Sequence, residues 1–284
     1  MGSCRVISPG VYTSIQDEGR TGVGHLGIPI SGALDKNSMY RANLAIGNPS
    51  YAAVLEITLN GPTLEFDQKT KLAIEGAEIE IWIDEDMVPN NKPIEIKAGS
   101  RLKFGKVLSG VRCYLAIQGG FQGKKIMGSM SMCRFVTEAI RLQKGDLISF
   151  GALEKVETKS MIPDKTILEE RRIDVLPGPE FDWLSEEDQK SIYAKEFHLK
   201  PQSNRSAFLF EGDPLEIDKK RELITSPVFP GIVQCYPNGQ LVLLHRDAQR
   251  TGGYPRLLIF PEESLDVIAQ KRIREKFTLN FENR

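Results

Sequence analysis

The chain has little from which to build a metal centre or a covalent framework: four cysteines and three histidines in 284 residues. Cys4, Cys113, Cys133 and Cys235 are scattered with no C-x-x-C pair, and His25, His198 and His245 stand far apart with no H-x-H or H-E-x-x-H frame. Disulfide networks and zinc sites need closer, patterned spacing, so the thiols read as lone buried residues and no metal is expected. Nowhere do eighteen apolar residues run together, and no apolar signal segment opens the chain, so a cytoplasmic protein without a membrane partner is expected. A surplus of one charge is missing too, since 37 Lys and Arg face 38 Asp and Glu for a net charge of -1. Such a balance creates no field that would gather nucleic acid. There is no G-x-S-x-G nucleophile elbow and no phosphate-loop signature, and Gly119-Gly120-Phe121-Gln122-Gly123 lacks the strand-to-helix context of one. Any chemistry then falls to positioned Arg, Asp and amide groups acting on developing negative charge.

What the chain does have is a period of two. KLAIEGAEIEIWIDEDMVP alternates apolar and charged residues through Ile79, Ile81 and Ile83, then stops at an acidic turn and Pro89. Short strands are also expected in PIEIKAGSRLKFG, GVRCYLAIQGG, DLISFG, RRIDVLPG, SAFLFEG and QLVLLHRD, separated by glycine and asparagine turns. Many short strands at this spacing predict a barrel or sandwich. Three helices are predicted: KNSMYRANLAIGN, with Met39, Ala42, Asn43 and Ile46 on one side and Gly47 as its stop; SEEDQKSIYAKEF, capped by Ser185; and ESLDVIAQK. The highly charged stretch between Phe150 and Ile173 has no strong period and marks the expected domain boundary.

Two patterns occur twice. Asp17-Glu18-Gly19-Arg20-Thr21-Gly22 is echoed by Asp247-Ala248-Gln249-Arg250-Thr251-Gly252, both D-x-x-R-T-G. Glu56 to Glu65 and Ala207 to Glu216 likewise share a strand, a turn and a second strand start, and the two elements come in opposite order in the two halves. This order fits two similar barrels that exchange terminal segments. In QDEGRTG the glycines let backbone approach a ligand, Arg20 supplies a planar fork for a carboxylate or phosphate, and Asp17 is expected to orient that fork. In RTGGYP, Thr251 and the Gly252 amide are candidate donors and Tyr254 a stacking surface. An Asp-Arg staple and a hairpin tip with Tyr254 at the core edge would leave the same sequence marks.

The motifs TSIQDEGRTG, GIPISGALD, ANLAIGN, LEITLNGPTLEF, GVRCYLAIQGG, VLPGPE, SPVFPGIVQ and TGGYP, in this order, resemble the biotin-dependent carboxyltransferase family. That family includes allophanate hydrolase subunit 2, KipA-type antagonists of a sporulation-kinase inhibitor, and the C-type subunit of bacterial 5-oxoprolinase. The resemblance runs from about Val11 to Phe281. It implies a mainly β fold of two cyclophilin-like β-barrel modules with a few short helices, placed at residues 1–155 and 165–284. It also implies an obligate KipI-like B-type subunit and a third 5-oxoprolinase subunit, which together use ATP to open 5-oxo-L-proline to L-glutamate. The alternatives it carries are carboxyl transfer from carboxybiotin to urea or a similar small amide, with biotin as the carrier, and a non-catalytic KipA-like regulatory protein. The site implied has Asp17, Arg20, Thr251 and Tyr254 as catalytic residues, and Gln16, Ser31, Asp35, Asn43, Gly252 and Gly253 as substrate contacts. One departure bears on this site: where relatives read L-G-S-R-S-T, this chain has M-G-S-M-S-M from Met127 to Met132, without the arginine.

Overall fold

The computed structural model describes residues 1–89, 92–151, 166–218 and 221–281. The expected architecture is what it holds: mainly β, with two curled, barrel-like sheets and four short helices among the described residues. The chain divides into two compact units, one of Met1–Arg20 with Ser31–Leu168, the other of Thr21–Ile30 with Glu169–Arg284. The limits expected at 155 and 165 lie outside the described residues or at their edge. The short segment Thr21–Ile30 thus leaves the first unit directly after Arg20 and is built into the second.

The first unit runs β1 (Gly2–Ser8), β2 (Tyr12–Gln16), α1 (Lys36–Ala45), β3 (Val54–Thr58), β4 (Thr63–Phe66), β5 (Thr70–Ile83), β6 (Asp86–Val88), β7 (Ile94–Ile96), β8 (Arg101–Ile117), β9 (Phe121–Gln122) and β10 (Leu147–Phe150). Its main path is β2-β3-β8-β4-β1-β10-β9, with β5 paired to β6, β7 and β8. The alternation read in KLAIEGAEIEIWI becomes the 14 residues of β5, with Leu72, Ile74, Ile79 and Ile81 in the core. The separate strands expected on either side of Ser109 prove to be one, the 17-residue β8. Gly110, at φ 74°, does not end the strand, because the β5–β8 register shifts at Gly76/Glu78, Glu78/Ile79 and Ile79/Ile81. Such irregularities bend a long antiparallel pair without ending it, which curls the sheet.

One face of β3 and β8 places Leu55, Ile57, Leu115 and Ile117 in that core. By the pleat, Glu56 and Tyr114 point to the opposite face. There α1 lies over them, with Met39, Ala42 and Ile46 packed beside Val54, Tyr114 and Ala116. The helix ends as predicted, at Gly47 with φ 75°.

A four-residue helix, α2 (Thr166–Glu169), precedes β11 (Arg172–Pro177), α3 (Glu186–Ser191), β12 (His198–Leu199), β13 (Ala207–Glu211), β14 (Ser226–Pro227), β15 (Ile232–Cys235), β16 (Leu241–Leu244), β17 (Thr251–Gly252), β18 (Arg256–Ile259), α4 (Glu262–Ala269) and β19 (Thr278–Phe281). The second unit's main sheet follows β12-β13-β16-β15-β18-β11-β19, and β14 pairs with β17 separately. The cap predicted for α3 is present, with Ser185 Oγ accepting from the Asp188 amide at 3.1 Å. Phe197, Phe210 and Phe277 fill this unit's interior, Phe210 and Phe277 meeting edge-on with ring centroids 5.2 Å apart and Phe197 packing tilted against both. All four cysteines are free and buried, and burial pushes the thiols of Cys4, Cys113 and Cys235 up to about 12, the state of inert packing residues.

Candidate functional site

Asp17 and Arg20 lie in the loop that leaves β2, and neither holds the other. Asp17 Oδ1 accepts from the hydroxyls of Ser129 and Ser131, each at 2.6 Å, and from the Gly19 amide at 2.9 Å. Its Oδ2 takes the Met130 amide at 2.7 Å. With those acceptor positions filled, the carboxylate does not orient the Arg20 fork, contrary to the sequence expectation. Arg20 is instead held by main-chain oxygens: Nε donates to the Ile126 carbonyl at 3.1 Å and Nη2 to that of Ser131. The guanidinium is 1% exposed, and its Nη1 has no partner. A desolvated cation with a donor to spare and no carboxylate among the described residues is costly to keep, unless something with an oxygen completes it.

The stretch M-G-S-M-S-M, noted for its missing arginine, is therefore what builds this centre. Its two serines supply the hydroxyls, its Met130 amide a third donor, and its Ser131 carbonyl a clamp on Arg20. Sequence reading missed Ser129 and Ser131, which lie more than a hundred residues from Asp17; the repeated serine between methionines was the signal present.

A second buried layer sets the loop Ser31–Asp35. Ser31 has φ 61°, is fully buried, and its hydroxyl has no partner. Gly32 follows at φ 90°, where a Cβ would stand 2.8 Å from the Asp17 carbonyl oxygen and 2.9 Å from that of Glu18, so only glycine lets the two backbones approach this closely. Three successive amides are then taken by three buried acceptors: Ala33 by the Asp17 carbonyl at 3.0 Å, Leu34 by Glu56 Oε2 at 2.8 Å, and Asp35 by the Tyr114 hydroxyl at 2.8 Å. Tyr114 also donates to Glu56 Oε2 at 3.0 Å. Glu56 and Tyr114 are directly opposite on β3 and β8. Burial, Glu56 and Asp35 together push the Tyr114 hydroxyl far above its usual range, so it stays a donor. Asp35 caps α1 through the Ser38 amide at 2.8 Å. Tyr114→Phe strands the Asp35 amide and is expected to lower stability by about 1–3 kcal/mol, read as a fall in the urea midpoint with the slope unchanged.

The remaining candidates divide. Gln16 donates to Ser14 Oγ and the Met132 carbonyl, and Asn43 ties α1 to the following turn through the Ser50 and Ala52 carbonyls. Both are fully buried with their donors used inside the fold, which suits them to holding the frame rather than a ligand. Thr251, Gly252, Gly253 and Tyr254 belong to the second unit. Thr251 and Gly252 form β17; a Cβ on Gly252 would fall 2.5 Å from Gln234 Nε2, so this loop lies directly on the Gln234 amide. Tyr254 is 42% exposed, and its ring packs against Tyr236 with centroids 4.5 Å apart. The echo at Asp247 is chemically different from Asp17: Asp247 is held by the Arg205 guanidinium, at 2.9 and 3.2 Å.

Two surface cavities of about 220 and 290 Å³ lie elsewhere, one beside Lys200, Glu211 and Asn238, the other beside Asn48, Lys69 and Gln118; no candidate residue lines either. No helix among the described residues is long and apolar enough to cross a membrane. No cluster of metal-binding side chains is found among them either.

The model for the carboxyltransferase domain, subdomain A and B, matches residues 26–281. The C-type subunit of 5-oxoprolinase from Escherichia coli strain K12 is 36% identical over 270 residues, 94% of this chain and 87% of that protein. Its counterpart from Haemophilus influenzae is 30% identical over 276 residues, 95% of this chain and 87% of that protein. Urea amidolyase of Saccharomyces cerevisiae is 33% identical over 213 residues, 69% of this chain but only 12% of that protein. Among solved structures, the Kluyveromyces lactis urea carboxylase superposes with a TM-score of 0.89 at 27% identity, covering 98% of this chain and 27% of that one. The chain thus corresponds to one portion of the fungal enzymes and to nearly the whole of the bacterial proteins. With the match spanning most of its length, this chain belongs to the carboxyltransferase domain family, subdomain A and B.

Proposed function

We propose that the chain is the C-type subunit of a 5-oxoprolinase assembly, working with a KipI-like B-type subunit and a third subunit to open 5-oxo-L-proline to L-glutamate at the expense of ATP. The observation that carries this reading is the buried Arg20 guanidinium with Nη1 unpartnered beside the strained Ser31–Asp35 loop. The similarity to two bacterial C-type subunits along nearly the whole chain supports the choice of reaction.

5-Oxo-L-proline offers a carboxylate and a planar lactam. As the lactam C–N bond yields to water, negative charge gathers on the carbonyl oxygen and a proton passes to the leaving nitrogen. A fixed, water-excluded guanidinium stabilises charge of that kind strongly, because its donors need no reorganisation when the charge develops. In this reading Nη1 of Arg20 meets the carboxylate or the developing oxyanion. Asp17, held by four donors, keeps the Ser129–Ser131 strap that carries the Ser131 clamp. Thr251 and Tyr254, exposed on the second unit, remain in the proposal as contacts for the KipI-like partner.

The glycine-rich turn after β8 does not fit ATP. The Gly119 amide is donated to Asn48 Oδ1 at 2.9 Å and the Gly120 amide to the Ile117 carbonyl at 2.9 Å, so neither is left for a phosphate. No step is therefore routed through a nucleotide at this turn.

The similarity to urea amidolyase and urea carboxylase favours a second reading, carboxyl transfer from carboxybiotin to urea or a similar amide. The two readings part in one assay. The chain, co-expressed with its KipI-like partner and the third subunit, is expected to release glutamate from 5-oxoproline only when all three and ATP are present. Release that is independent of this chain, or carboxylation of urea in its place, would overturn the first reading.

A further inference from the structure

The segment from Gly123 to Lys144 contains the strap that clamps Arg20, and it carries a surplus of positive charge in a chain whose charges otherwise balance. Its five cations, Lys124, Lys125, Arg134, Arg141 and Lys144, stand against one carboxylate, Glu138. All six side chains are exposed, and none of the five cations is held by a carboxylate among the described residues.

Among them an aromatic side chain is held out in water. Phe135 is 91% exposed, more than any other large apolar side chain among the described residues, and its backbone is left-handed at φ 66°. A bulky residue rarely takes that conformation, because its Cβ crowds the neighbouring carbonyl; glycine takes it freely. The turn imposes it. The Val136 and Thr137 amides both donate to the Cys133 carbonyl, at 3.2 and 3.0 Å, while the Thr137 hydroxyl accepts the Cys133 amide at 2.9 Å and donates to the Ala139 carbonyl at 2.6 Å. The Arg134 guanidinium lies 4.7 Å from the ring centroid and restricts its swing. Exposure and backbone strain both disfavour phenylalanine here in the isolated chain, so neither folding nor packing accounts for it.

The base of the strap is as fixed as its tip. The Met132 amide donates to the Ile15 carbonyl at 2.9 Å, Gln16 Nε2 donates to the Met132 carbonyl at 3.1 Å, and the Ile126 and Ser131 carbonyls hold Arg20. A body seated on Phe135 therefore bears on the same segment that positions the Arg20 guanidinium.

A rigid aromatic point ringed by unpaired cations fits a protein face with an apolar slot bordered by carboxylates, where the charged rim speeds the encounter and the buried ring slows release. A lipid surface accepts mobile side chains and needs no locked turn. We propose that Phe135 is the anchor by which the KipI-like B-type subunit docks on this chain, with the five cations facing carboxylates of that subunit. This docking rests on the three-subunit assembly proposed above.

Isothermal titration calorimetry of the full chain with the purified B-type subunit measures Kd, and thermal unfolding is followed for each variant alone. Phe135→Gly removes the ring and relieves the left-handed strain. It is expected to melt no earlier than wild type while associating about 30-fold more weakly or worse, the loss typical of a central anchor. Lys124→Glu combined with Lys125→Glu is expected to weaken association by about tenfold or more and to flatten its salt dependence. Unchanged affinity in either variant would overturn this docking and leave the assembly standing, whereas a wild-type chain that does not bind the B-type subunit at all would overturn both. Binding of the wild type to phosphatidylserine vesicles, lost in Phe135→Gly while association with the B-type subunit is kept, would assign the tip to a membrane and overturn it as well. Should Phe135→Gly fail to fold, Phe135→Asn, which also tolerates positive φ, gives the same readout.

Discussion

Arg20→Ala is expected to lower kcat/KM of the reconstituted three-subunit assembly for 5-oxoproline by about 100- to 1,000-fold, equivalent to about 3–4 kcal/mol, the range found when one preorganised donor is taken from a developing oxyanion. The fall should lie mostly in kcat if Nη1 meets the oxyanion, and mostly in KM if it meets the ground-state carboxylate. The substitution also strands the Ser131 carbonyl, which Arg20 now satisfies, at about 1–3 kcal/mol of stability, while the Ile126 carbonyl keeps the Ser129 amide. Melting temperature must therefore be recorded with the kinetics. Arg20→Lys separates the two effects: it keeps the charge but loses the planar fork that reaches two carbonyls while leaving a third nitrogen for substrate. An Arg20→Ala assembly that melts early but turns over normally would reduce Arg20 to a structural role.

Asp17→Ala is expected to have the largest effect on folding, a loss of about 3–5 kcal/mol, as when one partner of a buried charged network is removed. Two hydroxyls and two amides converge on this carboxylate. The hydroxyls can turn to other acceptors, but the Met130 and Gly19 amides cannot. Asp17→Asn should cost less, about 1–3 kcal/mol, since an amide oxygen at the Oδ1 position still serves Ser129, Ser131 and Gly19 while its NH2 faces the Met130 amide donor to donor. Urea unfolding of the three proteins would show the order wild type, Asn, Ala. Equal midpoints for Asn and Ala would mean that the Met130 amide dominates the network.

These predictions rest on partners only partly legible in the sequence. The alternation through Ile79, Ile81 and Ile83 identified β5, and Gly47 identified the end of α1, because polarity period and left-handed stops are local signals. The split between RLKFG and GVRCYLAIQGG has the same local origin: the apolar alternation lapses between Gly105 and Gly110, whereas long pairing with β5 carries one strand through it as an irregularity within β8. Glu56 was passed over because a glutamate between Leu55 and Ile57 looks like the solvent side of a half-buried strand. Here α1 and the Ser31–Asp35 loop cover that side, and the glutamate is an interior acceptor. Asp17 and Arg20 were picked out together as a pair, yet each found its partners in the strap from Ile126 to Ser131.

The sequence by itself determined the β-rich character of the chain, its family, and the residues whose chemistry is unusual for their setting, since composition, period and motif order are properties of the string. Only the tertiary structure decided which donor meets which acceptor, which faces are covered, and that a buried Arg20 nitrogen keeps no partner. The physical reason is that desolvation is a collective property. Whether a charge is buried, and whether its neighbours answer it, depends on groups brought together from more than a hundred residues away, and no local pattern records that.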